Sequence, residues 1–231
     1  MSNKIKDLMY KAIEHKRPAQ IENRCLEIWN QPFFYQIDKA KVLTISYNPT
    51  DKGARTNYPH WLVRYKKEGY IPTEQIYDLL YNFKMENNWR KNYNLIFKSL
   101  GFSVKEISHM DVSFFPYKTL DDYKECEYLD DTKQYLLSCI DLLKDQLKII
   151  FVDGKKNRDI LWHLKKDFSL YKSTKLPVNS SGVLYDLLIY KHNERNQYLI
   201  YYGCFLYGPT RPSSECVSKI SDFIKDCVTL A

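Results

Sequence analysis

The feature that most constrains the fold is the alternation of short apolar runs with longer amphipathic segments. The runs KVLTIS (41–46), ISHMDVSFF (107–115) and LKIIFVDG (147–154) are predicted strands, and each is followed by a polar turn, a proline or a glycine. Segments with apolar residues at helical spacing stand between these runs. The alternation predicts an α/β fold in three layers, with a mainly parallel central sheet between helices.

The helical segments are recognised by the spacing of their apolar residues. Two predicted helices, over residues 3–15 and 19–29, precede the first strand, and a later one begins near Tyr93 and stops at Gly101. The other predicted helices carry these apolar sets: Ile76, Leu79, Leu80 and Phe83; Leu136, Ile140, Leu143 and Leu147; Ile160, Leu161, Leu164 and Phe168; Val217, Ile220, Phe223, Ile224 and Cys227.

The C-terminal third also predicts an antiparallel strand pair. VLYDLLIY (183–190) and QYLIYYGCFLY (197–207) bracket the polar turn KHNERN (191–196). No internal repeat, low-complexity tract or Gly/Ser linker interrupts the chain. We therefore expect one domain over residues 1–231, with an N-terminal helical extension over residues 1–38.

Composition narrows the class of partner. The formal net charge is +7, and 20 Tyr, 11 Phe and 4 Trp accompany it. Basic charge with many aromatic residues is typical of a surface that stacks the bases of nucleic acid, although a Lys- and Tyr-rich composition also results from an AT-rich genome.

No apolar run approaches the ~20 residues that span a bilayer, and the first residues carry no segment of secretory-signal length. We expect a cytoplasmic protein without a membrane partner.

Cofactor chemistry finds no support in the sequence. The six cysteines form no CxxC pair and do not cluster with histidine, so the pattern predicts reduced thiols and no metal site. Neither GxxxxGK[ST] nor GxGxxG occurs, and no GxSxG elbow indicates acyl transfer. We expect no cofactor.

Ligands of parallel α/β sheets bind at the carboxyl ends of the strands. Three loops are predicted at those ends, over residues 47–53, 114–119 and 207–214. We therefore expect the functional side chains to lie in these loops.

Four segments share an order that is found in a known superfamily. In chain order they are ISYNPTDKG (45–53), MDVSFFPYKT (110–119), IIFVDGKKNRDILW (149–162) and YGPTRPSSE (207–215). Together they resemble the motifs of the uracil-DNA glycosylase superfamily, from about residue 40 to the end of the chain. The resemblance implies a uracil-DNA glycosylase-like fold and a link to DNA repair.

The resemblance also implies roles for individual residues. Asn48 stands at the turn that handles the attacking water, and Arg211 stands where the family carries a histidine aimed at the base. The implied base pocket consists of Tyr47, Pro49, Tyr58, Trp61, Asp111 and Phe114, with Tyr58 or Trp61 as its aromatic floor. The implied loop for DNA or a protein partner consists of Pro116, Lys118, Pro212, Ser213 and Ser214.

Three of these positions depart from the family pattern. Asn48 can orient a water but cannot take its proton, and it also suits a plain turn. Asp111 replaces the usual asparagine. As a carboxylate it only accepts hydrogen bonds, which disfavours uracil and favours an amino-bearing base such as cytosine, or it forms a salt bridge with Lys118. Arg211 could donate to a developing anion or bind a phosphate.

Three functional hypotheses follow from these departures. The first is a pseudo-enzyme that has lost uracil excision and binds DNA or a protein, such as the small acidic inhibitors that mimic DNA. The second is an active glycosylase with altered base choice. The third lies outside the family and is a generic α/β binding domain. Under any of the three, Ser213 or Ser214 is the expected N-cap of the last helix. The resemblance places Glu215 in the loop that carries an apolar wedge in the family.

Overall fold

The computed structural model describes residues 3–15, 36–47, 73–82, 91–113, 129–178, 182–206 and 212–229. This part of the chain contains six strands and six α-helices, so the expected α/β class is confirmed. In chain order they are α1 (Asn3–Glu14), β1 (Val42–Ser46), α2 (Thr73–Tyr81), α3 (Lys91–Ser99), β2 (Ile107–Asp111), α4 (Leu129–Leu143), β3 (Ile149–Asp153), α5 (Arg158–Leu164), β4 (Phe168–Pro177), β5 (Leu184–His192), β6 (Tyr198–Tyr202) and α6 (Ser214–Cys227).

The six strands form one mixed sheet in the order β2-β1-β3-β6-β5-β4. β1, β3 and β6 are parallel to one another, whereas β5 is antiparallel to both β6 and β4. The Lys41 N–H donates to the carbonyl of Glu106, and the Thr44 hydroxyl donates to that of Ser108. These bonds advance in the same direction along both chains, so β2 runs parallel to β1.

The central strands are buried on both faces, which explains their continuous apolar sequences. All residues of β1, β3 and β6 are buried. β4 is different: it is the last strand in the sheet order, and most of its residues are exposed. Its pairing with β5 skips Tyr171, which forms a bulge between Leu170 and Lys172.

The chain divides into two compact units. The first comprises Met1–Phe34, Tyr47–Phe83 and Met110–Lys144. Its helix α1 buries one apolar stripe and contacts both α2 and α4. The ring of Tyr10 meets that of Tyr77 edge-on at 5.3 Å between centroids.

The second unit comprises Tyr35–Ser46, Lys84–His109 and Asp145–Ala231. It contains the sheet, except for the last two residues of β2, together with α3, α5 and α6. Helices α3 and α6 pack together, and the hydroxyl oxygens of Ser99 and Ser221 lie 2.5 Å apart. The predicted single domain over residues 1–231 stays a prediction.

Several predicted element boundaries were wrong. α5 ends at Leu164, and a short 3-10 turn leads into β4 at Phe168, where a helix was expected to continue. β2 ends at Asp111, four residues before the predicted end at 115. α4 ends at Leu143, so the buried Leu147 lies outside it. The predicted helix over residues 19–29 lies outside the described residues.

The remaining predicted helices are confirmed within the described residues. The antiparallel pair is also confirmed, but β6 ends at Tyr202, five residues before the predicted end at 207. β5 pairs with β6 in antiparallel register from Leu187 opposite Tyr202 to Lys191 opposite Tyr198. Gly101 follows α3 with φ 89°, a left-handed conformation that suits glycine at a helix end. None of the described helices combines the length and apolarity needed to cross a membrane.

Candidate functional site

Five of the thirteen predicted site residues belong to the described part of the chain. Tyr47 directly follows β1, and Asp111 is the last residue of β2. Pro212 and Ser213 precede α6, and Ser214 is its first residue. The other eight lie outside the described residues: Asn48, Pro49, Tyr58, Trp61, Phe114, Pro116, Lys118 and Arg211.

In the first unit, the backbone after β1 is joined to the backbone after β2. The N–H of Ser113 donates to the carbonyl of Tyr47 at 3.0 Å. Tyr47 is 7% exposed and Asp111 is 3% exposed. Asp111 is therefore an interior carboxyl group at the end of a strand, and its side chain has almost no contact with water. The alternative salt bridge of Asp111 with Lys118 involves a residue outside the described part.

The second unit contains a buried carboxylate that the sequence analysis did not single out. Asp153, the last residue of β3, is fully buried. The hydroxyl of Ser46 donates to its Oδ1 at 2.5 Å. The hydroxyl of Tyr93 and the backbone N–H of Leu206, at 3.1 Å, both donate to its Oδ2. We call Ser46, Tyr93, Asp153 and Leu206 the Asp153 cluster.

The backbone turns at Gly154, directly after Asp153, in a conformation that favours glycine. Gly154 has φ 84°, and its N–H donates to the carbonyl of Tyr202 at 2.9 Å. A Cβ at this position would overlap the ring of Phe205. The side-chain amide of Asn157 donates to the carbonyl of Asp153 at 2.6 Å. Glycine is therefore required here both by the backbone conformation and by the neighbouring ring.

The Asp153 cluster holds the residues that directly precede two of the predicted functional loops, 47–53 and 207–214. Ser46 stands two residues before Asn48, and Leu206 stands five residues before Arg211. Both are held by the same carboxylate, which is out of contact with solvent. The buried Asp153 carboxylate therefore joins the end of β1 to Tyr93 and to the backbone of Leu206. The signal in the sequence is an aspartate at the end of an apolar strand, immediately before a glycine.

A second buried pair joins β1 to β2. Thr44 Oγ1 donates to the carbonyl of Ser108 at 3.2 Å and lies 2.7 Å from His109 Nδ1. With its hydroxyl proton directed at that carbonyl, Thr44 accepts from the protonated Nδ1 of His109. His109 is fully buried, and its ring lies 6.1 Å from that of Tyr93. It is an interior histidine that joins two strands.

The start of α6 has the geometry expected of a capped helix. Ser213 Oγ accepts from the N–H of Cys216 at 3.2 Å, so Ser213 is the N-cap, which decides between the two predicted candidates, Ser213 and Ser214. The Ser213 N–H donates to the carbonyl of Val178 at 3.0 Å. In the first turn, Glu215 forms an exposed ion pair with Lys219 at 2.7 Å. The hydrogen bond from Lys219 lowers the pKa of Glu215.

The thiols of the described part are buried and free of disulfide bonds: Cys139, Cys204, Cys216 and Cys227. Burial raises the pKa of Cys139 to about 12 and that of Cys204 to about 11. A thiol with so high a pKa is protonated at neutral pH and is a poor nucleophile. Within the described ranges, no three His, Cys, Asp or Glu side chains come together as metal ligands.

The chain matches no protein-family model and no curated protein. The assignment of functional residues therefore rests on the sequence patterns and on the contacts described above.

Proposed function

We propose that the chain is a uracil-DNA glycosylase-like protein that does not excise uracil and that acts by binding DNA or a DNA-mimicking acidic protein. The sheet order carries this proposal. Three of the four segments that resemble the superfamily motifs contain the ends of β1, β2 and β3, and the fourth begins five residues after the end of β6; these four strands are consecutive neighbours in the sheet. Ligands of α/β sheets bind at such carboxyl ends. The proposed fold is accordingly three-layered and glycosylase-like.

Two substitutions at family positions support the loss of uracil excision. Asp111 is a buried carboxyl group, whereas the family uses an asparagine that both donates and accepts. An ionised Asp111 repels the carbonyl oxygens of uracil. Arg211 replaces the histidine that would stabilise the departing base, so the electrostatic stabilisation of the transition state would depend on a group of different shape and reach.

The first turn of α6 supports a protein that does not penetrate the duplex. A glycosylase must extrude its target base, which costs a few kcal/mol and is helped by an apolar wedge. Here the turn presents the exposed Glu215 paired with Lys219. A carboxylate at this position faces DNA phosphates unfavourably and cannot replace a stacked base.

Base release is the first test. The purified chain is incubated with oligonucleotides that contain uracil, cytosine or 5-methylcytosine, in single-stranded and duplex form, and abasic sites are cleaved with alkali. We expect no abasic product from uracil. Release of uracil above the level of the Asn48→Ala and Arg211→Ala double variant would contradict the proposal.

Binding is the second test. Size-exclusion chromatography follows the chain mixed with a small acidic DNA-mimic inhibitor of uracil-DNA glycosylase, and fluorescence anisotropy follows its binding to duplex DNA. We expect at least one complex, and we expect Arg211→Glu to weaken it. Lys98→Glu makes the same charge change on an exposed face of α3 and should leave binding unchanged. The absence of both complexes would refute the proposal.

A second candidate function is glycosylase activity on an amino-bearing base. The position of Asp111 at the end of β2 favours it, because a carboxylate only accepts hydrogen bonds and therefore suits a base that donates one. Abasic product from cytosine or 5-methylcytosine, abolished by Asp111→Asn, would establish this function. The absence of product from all three bases would exclude it.

A further inference from the structure

The sheet has one face that is progressively uncovered towards β4. Residues directly opposite in paired strands share a face, which places Leu170 with Tyr190, Ser173 with Leu188, and Lys175 with Asp186. Continued onto β6, the same face carries Leu199 and Tyr201, which are buried. On β5, Leu188 and Tyr190 are half-buried. On β4, Leu170 is 57% exposed.

β4 and β5 carry exposed or half-buried apolar side chains on this face, whereas the aliphatic side chains of β5 on the opposite face are buried. Leu187 and Ile189 point to the opposite face of β5 and are fully buried. Leu184, at the start of β5, is 56% exposed on the uncovered side. We call Leu170, Lys175, Leu184, Leu188 and Tyr190, together with Arg158 of α5, the open ribbon face.

The segment that contains α5, β4 and β5 carries most of the net positive charge of the chain. Residues 155–195 contain 9 Lys and Arg and 4 Asp and Glu, so they supply 9 − 4 = +5 of the formal net charge of +7. On the open ribbon face, one carboxylate serves two cations. Asp186 lies 3.7 Å from Arg158 and 3.9 Å from Lys175, and both cationic side chains are more than half exposed. One positive charge is left over at this spot.

We propose that the open ribbon face binds single-stranded nucleic acid. The excess of cations fits a phosphate backbone, and the Tyr190 ring with its flanking leucines offers a flat apolar surface on which unpaired bases stack. A duplex hides its base faces and would use the cations alone. The inference does not rest on the glycosylase-like function, because every residue of the face except Arg158 belongs to β4 or β5, and these strands lie outside the four segments that resemble that superfamily.

The test measures binding of fluorescein-labelled (dT)20 by anisotropy across a series of salt concentrations. The wild-type chain should bind (dT)20 more tightly than a 20-base-pair duplex and more tightly than poly-L-glutamate. Lys175→Glu should weaken binding about tenfold at low salt and should reduce the slope of log affinity against log salt by about one. Lys98→Glu, with the same charge change on α3, should have little effect.

The stacking contribution is tested separately. Tyr190→Ala should weaken (dT)20 binding about tenfold with the salt slope unchanged, because stacking does not release counterions. Leu170→Ser alters a side chain that is already exposed, so it should leave folding intact and weaken binding about threefold. Circular dichroism checks the fold of each variant. If Tyr190→Ala does not fold, the effect of Leu170→Ser on (dT)20 binding becomes the test of the apolar contribution.

Four results would overturn the inference. The first is no binding of (dT)20 at low salt, and the second is equal loss in Lys175→Glu and Lys98→Glu. The third is duplex binding as tight as single-strand binding by the Arg211→Glu variant, in which the duplex-binding loop of the proposed function is disabled; this result would show that stacking contributes nothing. The fourth is tighter binding of poly-L-glutamate than of (dT)20 by the same variant, which would indicate an acidic polypeptide as the partner of this face. Including Arg211→Glu in the series keeps the outcomes separate, since the open ribbon face should bind (dT)20 with or without that side chain.

Discussion

Ser46 and Asp153 are 107 positions apart in the chain, and their side chains form a 2.5 Å hydrogen bond between the ends of β1 and β3. The same carboxylate also accepts from Tyr93 and from the backbone of Leu206. A buried carboxylate with three donors is stable only while the donors remain in place, because each unpaired partner would bear a desolvation penalty. The ends of these strands are therefore held by a shared interior group.

Removal of the Asp153 carboxylate should destabilise the protein strongly. Asp153→Ala leaves two buried hydroxyl groups and one N–H without their acceptor. We expect the free energy of unfolding to fall by about 3–5 kcal/mol. Equilibrium urea denaturation followed by circular dichroism measures this change. Asp141→Ala removes an exposed carboxylate that pairs with Lys144 in its own turn, and it should change stability by less than about 0.5 kcal/mol. Similar losses in both variants would contradict the role of the Asp153 cluster.

Gly154 and Gly101 form a matched pair for a test of backbone strain. Both have φ between 84° and 89°, but only Gly154 faces a ring, that of Phe205, where a Cβ would go. Gly101→Ala should lose about 1–2 kcal/mol from the left-handed conformation alone. Gly154→Ala should lose more, since the ring or the backbone must also move. Urea denaturation compares the two variants, and Phe205→Ala combined with Gly154→Ala should recover part of the difference. Equal losses for the two glycines would show that the ring does not matter.

The N-cap of α6 should contribute measurably to stability. Ser213→Ala removes the acceptor of the Cys216 N–H and should lower the free energy of unfolding by about 1 kcal/mol. Ser213→Asp should retain most of the stability because its carboxylate accepts the same bond. Ser214→Ala changes an exposed hydroxyl inside the helix and serves as the control. Thermal denaturation measures all three, and a loss in Ser214→Ala as large as that in Ser213→Ala would contradict the assignment of the cap.

The ion pair of Lys41 and Glu106 predicts a pH dependence. Their nitrogen and oxygen lie 2.6 Å apart, and the Glu106 carboxylate also accepts from Ser103. The hydrogen bond from Lys41 and those from Ser103 lower the pKa of Glu106 from 4.5 to about 2. A lowered carboxyl pKa stabilises the folded state above pH 4.5, and this contribution is lost as the pH falls from 4.5 through 2.

Glu106→Gln should therefore matter only where the carboxylate is ionised. At pH 7 we expect a loss of about 1 kcal/mol, because Lys41 is half exposed and water screens the pair. The difference from the wild type should shrink as the pH falls below 4.5. Urea denaturation at pH 7, 4.5 and 3 measures it. A difference that stays constant with pH would show that the ionised carboxylate is not the source of the stabilisation.

The sequence predicts the buried central strands of the sheet better than its exposed terminal strand. β1 and β3 are buried on both faces, so their apolar runs stand out from the chain. β4 was missed because it is exposed along most of its length, and its lysine and serine residues give no core-facing pattern. The helix predicted through Phe168 was wrong for the same reason, since local spacing does not reveal a strand that depends on its pairing with β5.

The candidate site was predictable only in part. The local sequence predicts a serine cap, because a serine often precedes an apolar helical stripe, but only the structure shows that Ser213 and not Ser214 is the cap. The partners of Asp153 do not, because Tyr93 lies 60 positions away and Ser46 lies 107 positions away. Contacts of that separation depend on the sheet order, which the pattern of strands and helices does not specify. The eight predicted residues outside the described part, Asn48 and Arg211 among them, stay predictions.

The bulge at Tyr171 limits how two copies of this protein could associate. In the described sheet β4 is a terminal strand, and terminal strands are templates for self-association into larger assemblies. The skipped residue bends the strand and interrupts its regular series of backbone donors and acceptors. The longest stretch of β4 with uninterrupted register is Lys172–Pro177, a segment that carries two lysines and ends in a proline. The amino-acid sequence of β4 itself therefore opposes edge-to-edge growth of fibres through this strand.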